Sequence, residues 1–298
     1  RRNAGCCGIR GRRLCKPDSR IVYDCRRLYI CQTMNIFHIL VITDTSKIFL
    51  NIFAVIACFA IGYFFGAFPT SVVIGKIFFH QDPRDFGSHN PGGTNAGRLW
   101  GRKVGFIVIC LDMIKTILPM WLCWAACMLI KIDGKELCPT VLDCGRFGIN
   151  AEHLVVWPVY WVATLGCMVG HCWPVFAQFK GGKGVSCYMG VLVTSSWLIG
   201  FIPGLLYFIF LKITKYVSLT GILVGVISTI MAWIWAILWM TGCVPEALYS
   251  LPMFGTNLIG NWVFAIDLTI MSTIMIVRHH ENIDRLIHGC ERRITWMS

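Results

Sequence analysis

Six apolar runs dominate the chain, at roughly 48–79, 104–130, 153–177, 185–211, 217–241 and 258–277. About 20 apolar residues in a helix cross the hydrocarbon of a bilayer. Only helices and closed barrels satisfy their backbone there. Runs of this length predict helices, so the pattern reads as an all-α, polytopic integral membrane bundle. The first run contains Gly62, Gly66 and Pro69, and a kink or an early helix end is expected near them.

Polar stretches between the runs set the topology. Basic loops face the cytoplasm. Arg84, Arg98, Arg102 and Lys103 follow the first run, and Lys180 and Lys183 follow the third. The loop at 131–152 mixes both signs and suits the far side. The fourth run decides the count. Read as one crossing, it places Lys212, Lys215, Arg278, Arg285, Arg292 and Arg293 outside. A short helix ending near Ser195, followed by a second starting near Trp197, returns them all to the cytoplasm. The reading is about seven transmembrane helices, N-terminus outside and C-terminus cytoplasmic. The short first half needs burial among its neighbours, because frayed backbone cannot face lipid.

Composition agrees with this picture: 56% of residues are hydrophobic, 14% are charged, and the mean hydropathy is +0.65. Of the formal net charge of +12, residues 1–33 carry +7, from nine Lys and Arg against Asp18 and Asp24. The first methionine is Met34, where the text turns apolar. Residues 1–33 are therefore expected to be a basic, cysteine-containing extension outside the fold, with 34–298 a single membrane-embedded domain. A targeting arm and a metal knuckle are the rival readings. Cys6, Cys7, Cys15, Cys25 and Cys31 form no CxxC pair, which argues against zinc. Cysteines within the apolar runs are expected to pack as small hydrophobes. Cys138 and Cys144 share one loop and could pair on an oxidising side.

Chemistry concentrates in four polar stretches, which this topology puts on one membrane face. Gly87 to Arg98 holds four glycines, Pro91, and the short polar side chains Ser88, Asn90, Thr94 and Asn95. Glycine lets backbone N–H groups converge into an anion-binding nest, with Gly92 and Gly93 at its centre, and an arginine such as Arg98 can clamp an anion with parallel bonds. A solvated turn is the alternative. Lys180-Gly181-Gly182-Lys183-Gly184 opens a helix, a position that favours anions, although lysines there can simply anchor the helix. Tyr216 and Ser218 mark the third stretch. Arg278, His279, Asn282 and Arg285 mark the fourth, which could also be a basic tail touching lipid headgroups. Asp112 and Lys115 share a face of the second run, as a functional pair or an internal salt bridge. His80–Asp85 and His279–Asp284 have the spacing of a catalytic His–Asp pair, but are read as incidental.

In order, these motifs read Gly-Ser-x-Asn-x-Gly-x-Thr-Asn-x-x-Arg, Asp-x-x-Lys, Gly-His-x-x-Pro-Val-Phe, Lys-Gly-Gly-Lys-Gly-Val, Tyr-Val-Ser-Leu and Arg-His-x-x-Asn-Ile-x-Arg-Leu-x-x-Gly-x-Glu. Together, over about residues 55–293, the chain resembles the bacterial acyl-phosphate:glycerol-3-phosphate acyltransferases of the PlsY type. The resemblance implies a seven-helix enzyme of the cytoplasmic membrane. It implies transfer of a fatty acyl group from acyl phosphate to the 1-hydroxyl of glycerol 3-phosphate, giving 1-acylglycerol 3-phosphate and phosphate. This is the first acylation of phospholipid synthesis. Ser88, Arg98, Lys183, His279 and Asn282 then match the family's catalytic positions. Asn90, Gly92, Gly93, Thr94, Asn95, Lys180, Gly181, Gly182, Ser218 and Arg278 are expected around the phosphates.

The partners expected are the two phosphorylated substrates and the lipid bilayer, not nucleic acid, and neither a metal nor a cofactor is expected. Three positions depart from the family pattern: His89 stands where Gly is usual, Gly93 where Ala is usual, and Gly221 where a second serine is usual. The base is either His279 or a phosphate oxygen of the acyl donor, and the analogy favours the phosphate. The competing class is a membrane transporter or lipid-binding protein, suggested by the split fourth run.

Overall fold

The computed structural model describes residues 45–132, 135–137, 154–155, 157–195, 197–241 and 262–294. The expectations for 1–33 and for Cys138 with Cys144 lie outside these residues. The first helix, α1, spans Thr45–Gly66. After Pro69 the chain restarts as α2, Thr70–Ile74, and runs into one π turn at Gly75–Phe79. The expected break is therefore present. It leaves the Phe68 carbonyl to accept from the Thr70 N–H at 3.0 Å and from Lys115 Nζ at 3.1 Å.

Gly62 and Gly66 do a different job from the expected kink. A Cβ on either would collide with the backbone of Ala163 or Cys167 in α5, Val162–Cys172. Gly166 and Gly170 of α5 meet the backbone of Phe59 and Tyr63 in return. Two small-xxx-small seams thus interlock α1 and α5. Close backbone approach of this kind is how helices associate where lipid tails are as apolar as leucine.

An eight-residue helix, α3, covers Gly93–Trp100 and leads through Gly101 into α4, Arg102–Leu129. At 1.5 Å per residue α4 is about 42 Å long, ample for a tilted crossing. A two-residue antiparallel pairing follows it, Lys131 with Glu136 and Ile132 with Lys135. Within α4, Asp112 and Lys115 form the internal salt bridge, at 2.9 Å. Asp112 also accepts from the Thr70 hydroxyl at 2.9 Å. The pair ties α4 to both sides of the Pro69 break.

The fourth apolar run is split as expected, into α6, Val185–Ser195, and α7, Trp197–Thr214. The short α6 is buried on most sides. Its Tyr188 hydroxyl lies 2.8 Å from Ser228 and 3.1 Å from the Gly225 carbonyl in α8, Val217–Met240. The last span, α9, is Trp262–Arg278, and a bend of 58° joins it to α10, His280–Ile287. Among the described residues four helices are long and apolar enough to cross a membrane, or five if the bent pair counts as one span. Buried Trp161, Tyr160, Phe264, Met120, Met168 and Leu268 fill the core. Phe49, Phe53, Phe106, Phe201 and Phe208 project outward, as side chains facing lipid do.

Candidate active site

The Gly87–Arg98 loop is built by its own side chains. Asp82 accepts from the Arg84 N–H at 3.0 Å and starts a short 3-10 turn, Pro83–Asp85. Arg84 also pairs with Asp82 at 2.6 Å and reaches the Ala177 carbonyl at 2.9 Å, which brings this loop to the one before Lys180. Asn95 is buried and braces the turn. Its amide donates to the carbonyls of Pro83 at 2.8 Å and Phe86 at 3.1 Å, and its oxygen accepts from the Ser88 N–H at 3.0 Å. Asn95 thus braces the turn from behind through three bonds to the loop backbone. The Ser71 hydroxyl donates to the Pro91 carbonyl at 2.7 Å and fixes the loop to α2.

The departures at His89 and Gly93 have local explanations. His89 adopts φ +55°, the left-handed region where glycine is at ease. Its ring Nδ1–H donates to the Arg84 carbonyl at 2.9 Å. A Cβ at Gly93 would press on the Ile109 side chain and come to 2.8 Å of the Gly105 carbonyl, so Ile109 and the α3–α4 contact fill the space an alanine would use. At Gly221 a Cβ would stand 3.2 Å from Val185, already a tight fit.

The second stretch packs on the end of α5. A Cβ at Gly181 would strike the His171 carbonyl, and one at Gly182 would strike the His171 ring. The Gly182 N–H donates to the His171 carbonyl at 3.0 Å. Arg278 lies across the loop, with Nε 3.3 Å from the Gly182 carbonyl, Nη2 3.2 Å from that of Gly181, and its guanidinium over the Trp173 ring. These bonds make Arg278 a clamp on the glycine loop. Pro91 and residues 180–182 line one small cleft with Thr70, Asp112, Lys115 and His171.

The other stretches converge on Lys183. Its ammonium donates to Asn282 Oδ1, and the Asn282 amide donates to Glu291 Oε1 at 2.7 Å. Glu291 also accepts from the Ser218 hydroxyl at 2.9 Å and from Arg285 Nε at 2.8 Å. Burial alone would raise the Glu291 carboxyl, but the bonds from Arg285, Asn282 and Ser218 outweigh it and hold the group below the usual carboxylate range. Burial lowers the Lys183 ammonium, and the nearby Arg285 charge adds to the effect. Arg98, on the first loop, is close enough to feel the charges of Arg292 and Glu291.

His279 sits at the bend between α9 and α10 and is buried. Its Nδ1 lies 2.7 Å from the Met275 carbonyl. A carbonyl only accepts, so Nδ1 carries the proton and Nε2 keeps its lone pair. Burial, with the charges of Lys183 and Arg278 adding, lowers this imidazole to about 4. It is neutral at pH 7 and a weak base. Asp284 faces His288 at 3.3 Å, so the His279–Asp284 spacing is not a working pair, as expected.

Of the residues singled out in the sequence, Lys183, Ser218, His279 and Asn282 meet in one cluster, with Arg98 within electrostatic reach. Ser88, Asn90 and Gly92 lie on the adjoining loop, Thr94 in the first turn of α3, and Lys180 along the cleft. Sequence reasoning singled out Arg285 but assigned no role to Glu291, Ser71 or Thr70. The Gly-x-Glu that closes the last motif was the available signal for Glu291.

The family described as Glycerol-3-phosphate acyltransferase matches residues 56–289. A glycerol-3-phosphate acyltransferase of Staphylococcus aureus (strain Newman) is 31% identical over 247 residues, 82% of this chain and 99% of that protein. The crystal structure of PlsY (YgiH), an integral membrane glycerol 3-phosphate acyltransferase, in its glycerol 3-phosphate form, is 28% identical. It superposes with a TM-score of 0.55 over 84% of this chain and 96% of that one. Its lysophosphatidic acid form is 27% identical, with a TM-score of 0.53 and the same coverage. The chain belongs to the glycerol-3-phosphate acyltransferase family, as an integral membrane helical protein of the PlsY type.

Proposed function

We propose that the protein transfers a fatty acyl group from acyl phosphate to the 1-hydroxyl of glycerol 3-phosphate, releasing 1-acylglycerol 3-phosphate and phosphate. The observation that carries this reading is the convergence of Lys183, Ser218, His279 and Asn282, from three distant stretches, beside the glycine-rich loop that bears Ser88 and Arg98. Both substrates are phosphates, and such a site needs two anion cradles next to an apolar surface. The proposed topology is seven crossings in the cell membrane, with this end of the bundle cytoplasmic.

In the reaction the 1-hydroxyl attacks the acyl carbonyl, the C–O bond to phosphate breaks, and the electron pair leaves on phosphate. Arg98 and Lys183 offset the charge that develops there. Neutral His279 offers Nε2 as an acceptor that aligns the hydroxyl. With an imidazole lowered to about 4, the proton passes instead to a phosphate oxygen of the donor, and the leaving group departs as hydrogen phosphate. Ser88 and the N–H groups at the start of α3 hold the donor phosphate.

The test is purified full-length protein in detergent given palmitoyl phosphate. Phosphate release that requires glycerol 3-phosphate, together with formation of the monoacyl product, supports the proposal. Acyl transfer from acyl-CoA with none from acyl phosphate would overturn the donor assignment.

A further inference from the structure

We infer that Trp100 is a positioning residue, which holds the short helix α3 so that Arg98 faces the phosphate site. This rests on the acyltransferase reading above, in which Arg98 offsets the charge on the leaving phosphate.

Arg98 stands in the last turn of an eight-residue helix. Among the described residues no hydrogen bond or ion pair fixes its guanidinium. Its aim therefore depends on where α3 lies. The helix joins α4 through Gly101 alone, at φ +96° and ψ +157°, a conformation essentially confined to glycine. A Cβ at Gly101 would meet nothing within 4 Å, so that side of the joint is open. Nearer its start α3 is bedded on α4: a Cβ at Gly105 would come to 2.7 Å of both Gly93 and Gly97. Asn95 adds its bonds to the carbonyls of Pro83 and Phe86. At the other end the fastening is Trp100.

The Trp100 ring stacks on Phe79, with centroids 4.7 Å apart and planes 4° from parallel. Its Nε1 donates to Gln81 Oε1 at 3.0 Å. Phe79 ends the π turn Gly75–Phe79, and the Gln81 N–H returns to the Gly75 carbonyl at 3.1 Å, so one turn supplies both partners. A Cβ at Gly75 would stand 2.5 Å from the Trp100 ring, so the turn has room for the indole only because this residue is glycine. At 3.6 residues per turn, Trp100 lies about 200° round α3 from Arg98. The ring thus ties one side of the helix to the π turn, while the other side presents Arg98 within electrostatic reach of Arg292 and Glu291. A tryptophan at a membrane face also anchors a helix to the headgroups, which is the rival role. Here one ring face and the indole N–H are engaged inside the protein, which favours a strut under α3.

The test is a double-mutant cycle of Trp100→Ala with Arg98→Ala, as full-length protein with palmitoyl phosphate and varied glycerol 3-phosphate. Misplacing a positioned group by about 1 Å costs about 10²-fold in rate, so Trp100→Ala is expected to lower kcat by about 10- to 100-fold, with KM changed less than about threefold. Trp100→Phe keeps a ring on Phe79 and is expected to stay within about threefold of the parent. In the Arg98→Ala background, Trp100→Ala is expected to cost less than about threefold more, because the residue it aims is gone. An unchanged kcat in Trp100→Ala overturns the inference, and so does an undiminished loss in the Arg98→Ala background, which identifies an anchor of the whole fold. Gly75→Ala displaces the ring from the opposite side, and it reads the same cycle where Trp100→Ala does not fold. If the parent itself releases no phosphate, the donor reading has failed and the geometry is read directly. Crystals of Trp100→Ala are then expected to show the last turn of α3 shifted by about 1 Å or more, and an unmoved turn overturns the inference.

Discussion

Lys183 and Asn282 lie 99 residues apart and meet side chain to side chain, ammonium on amide oxygen. One residue precedes α6 and the other lies in α10, so the bond measures how the second and fourth polar stretches come together. Removing one electrostatic donor to a developing oxyanion costs about 10²–10³-fold in kcat. Lys183→Ala is expected to fall in that range in the phosphate-release assay. Lys183→Arg is expected to restore only part of the rate, because a planar fork does not replace a point charge at this spacing.

The pH dependence tests His279. Its imidazole is lowered to about 4, so it stays neutral from pH 8 down to about pH 5 and gains its proton only below that. The kcat–pH profile of the parent is therefore expected to show no limb near pH 6.5. His279→Ala is expected to lower kcat without changing the shape of the profile. A limb near pH 6.5 that vanishes in the variant would make His279 the base.

The strained turn at His89 makes a separate prediction. A left-handed residue with a side chain costs about 1–2 kcal/mol, partly offset here by about 1 kcal/mol from the bond to the Arg84 carbonyl. His89→Gly is expected to melt within about 1 kcal/mol of the parent, since it loses the bond and the strain together. His89→Val keeps the strain, loses the bond and adds a β-branch, and is expected to be the less stable of the two. The thermal midpoint in detergent reads both.

The glycine seams test the packing. Gly166→Leu puts a side chain into the Phe59 and Tyr63 backbone, where overpacking costs about 1–3 kcal/mol or more. Gly204 in α7 has open space around its Cβ position, so Gly204→Leu is the matched control and is expected to leave the thermal midpoint near the parent's.

Removing one partner of a buried ion pair costs about 3–5 kcal/mol, because the other charge is left uncompensated. Lys115→Met is expected to destabilise by that amount. The double variant Asp112→Asn with Lys115→Met is expected to recover part of it, as read from the same melts.

Much of this arrangement was legible in the sequence for identifiable reasons. Run length and loop charge gave the helical bundle and the split before Trp197, because the bilayer imposes length and polarity on any helix within it. The order of the motifs gave the residues that meet around Lys183. What the sequence hid were jobs that depend on a neighbour. Gly62 and Gly66 read as a kink, yet their use is the facing backbone of α5, which no local pattern displays. The bonds that Asn95 and Arg278 make to backbone carbonyls depend on segments that only folding brings together. Glu291 was visible as part of Gly-x-Glu, but its bonds with Ser218, Asn282 and Arg285 appear only in the folded chain.

Diffraction from crystals of the protein soaked with inorganic phosphate, the leaving group of the proposed reaction, tests the central claim most directly. A shared site predicts one phosphate within hydrogen-bond distance of both Arg98 and the Lys183–Asn282 pair. A phosphate bound away from that pair, or none where saturating ligand is present, would contradict it.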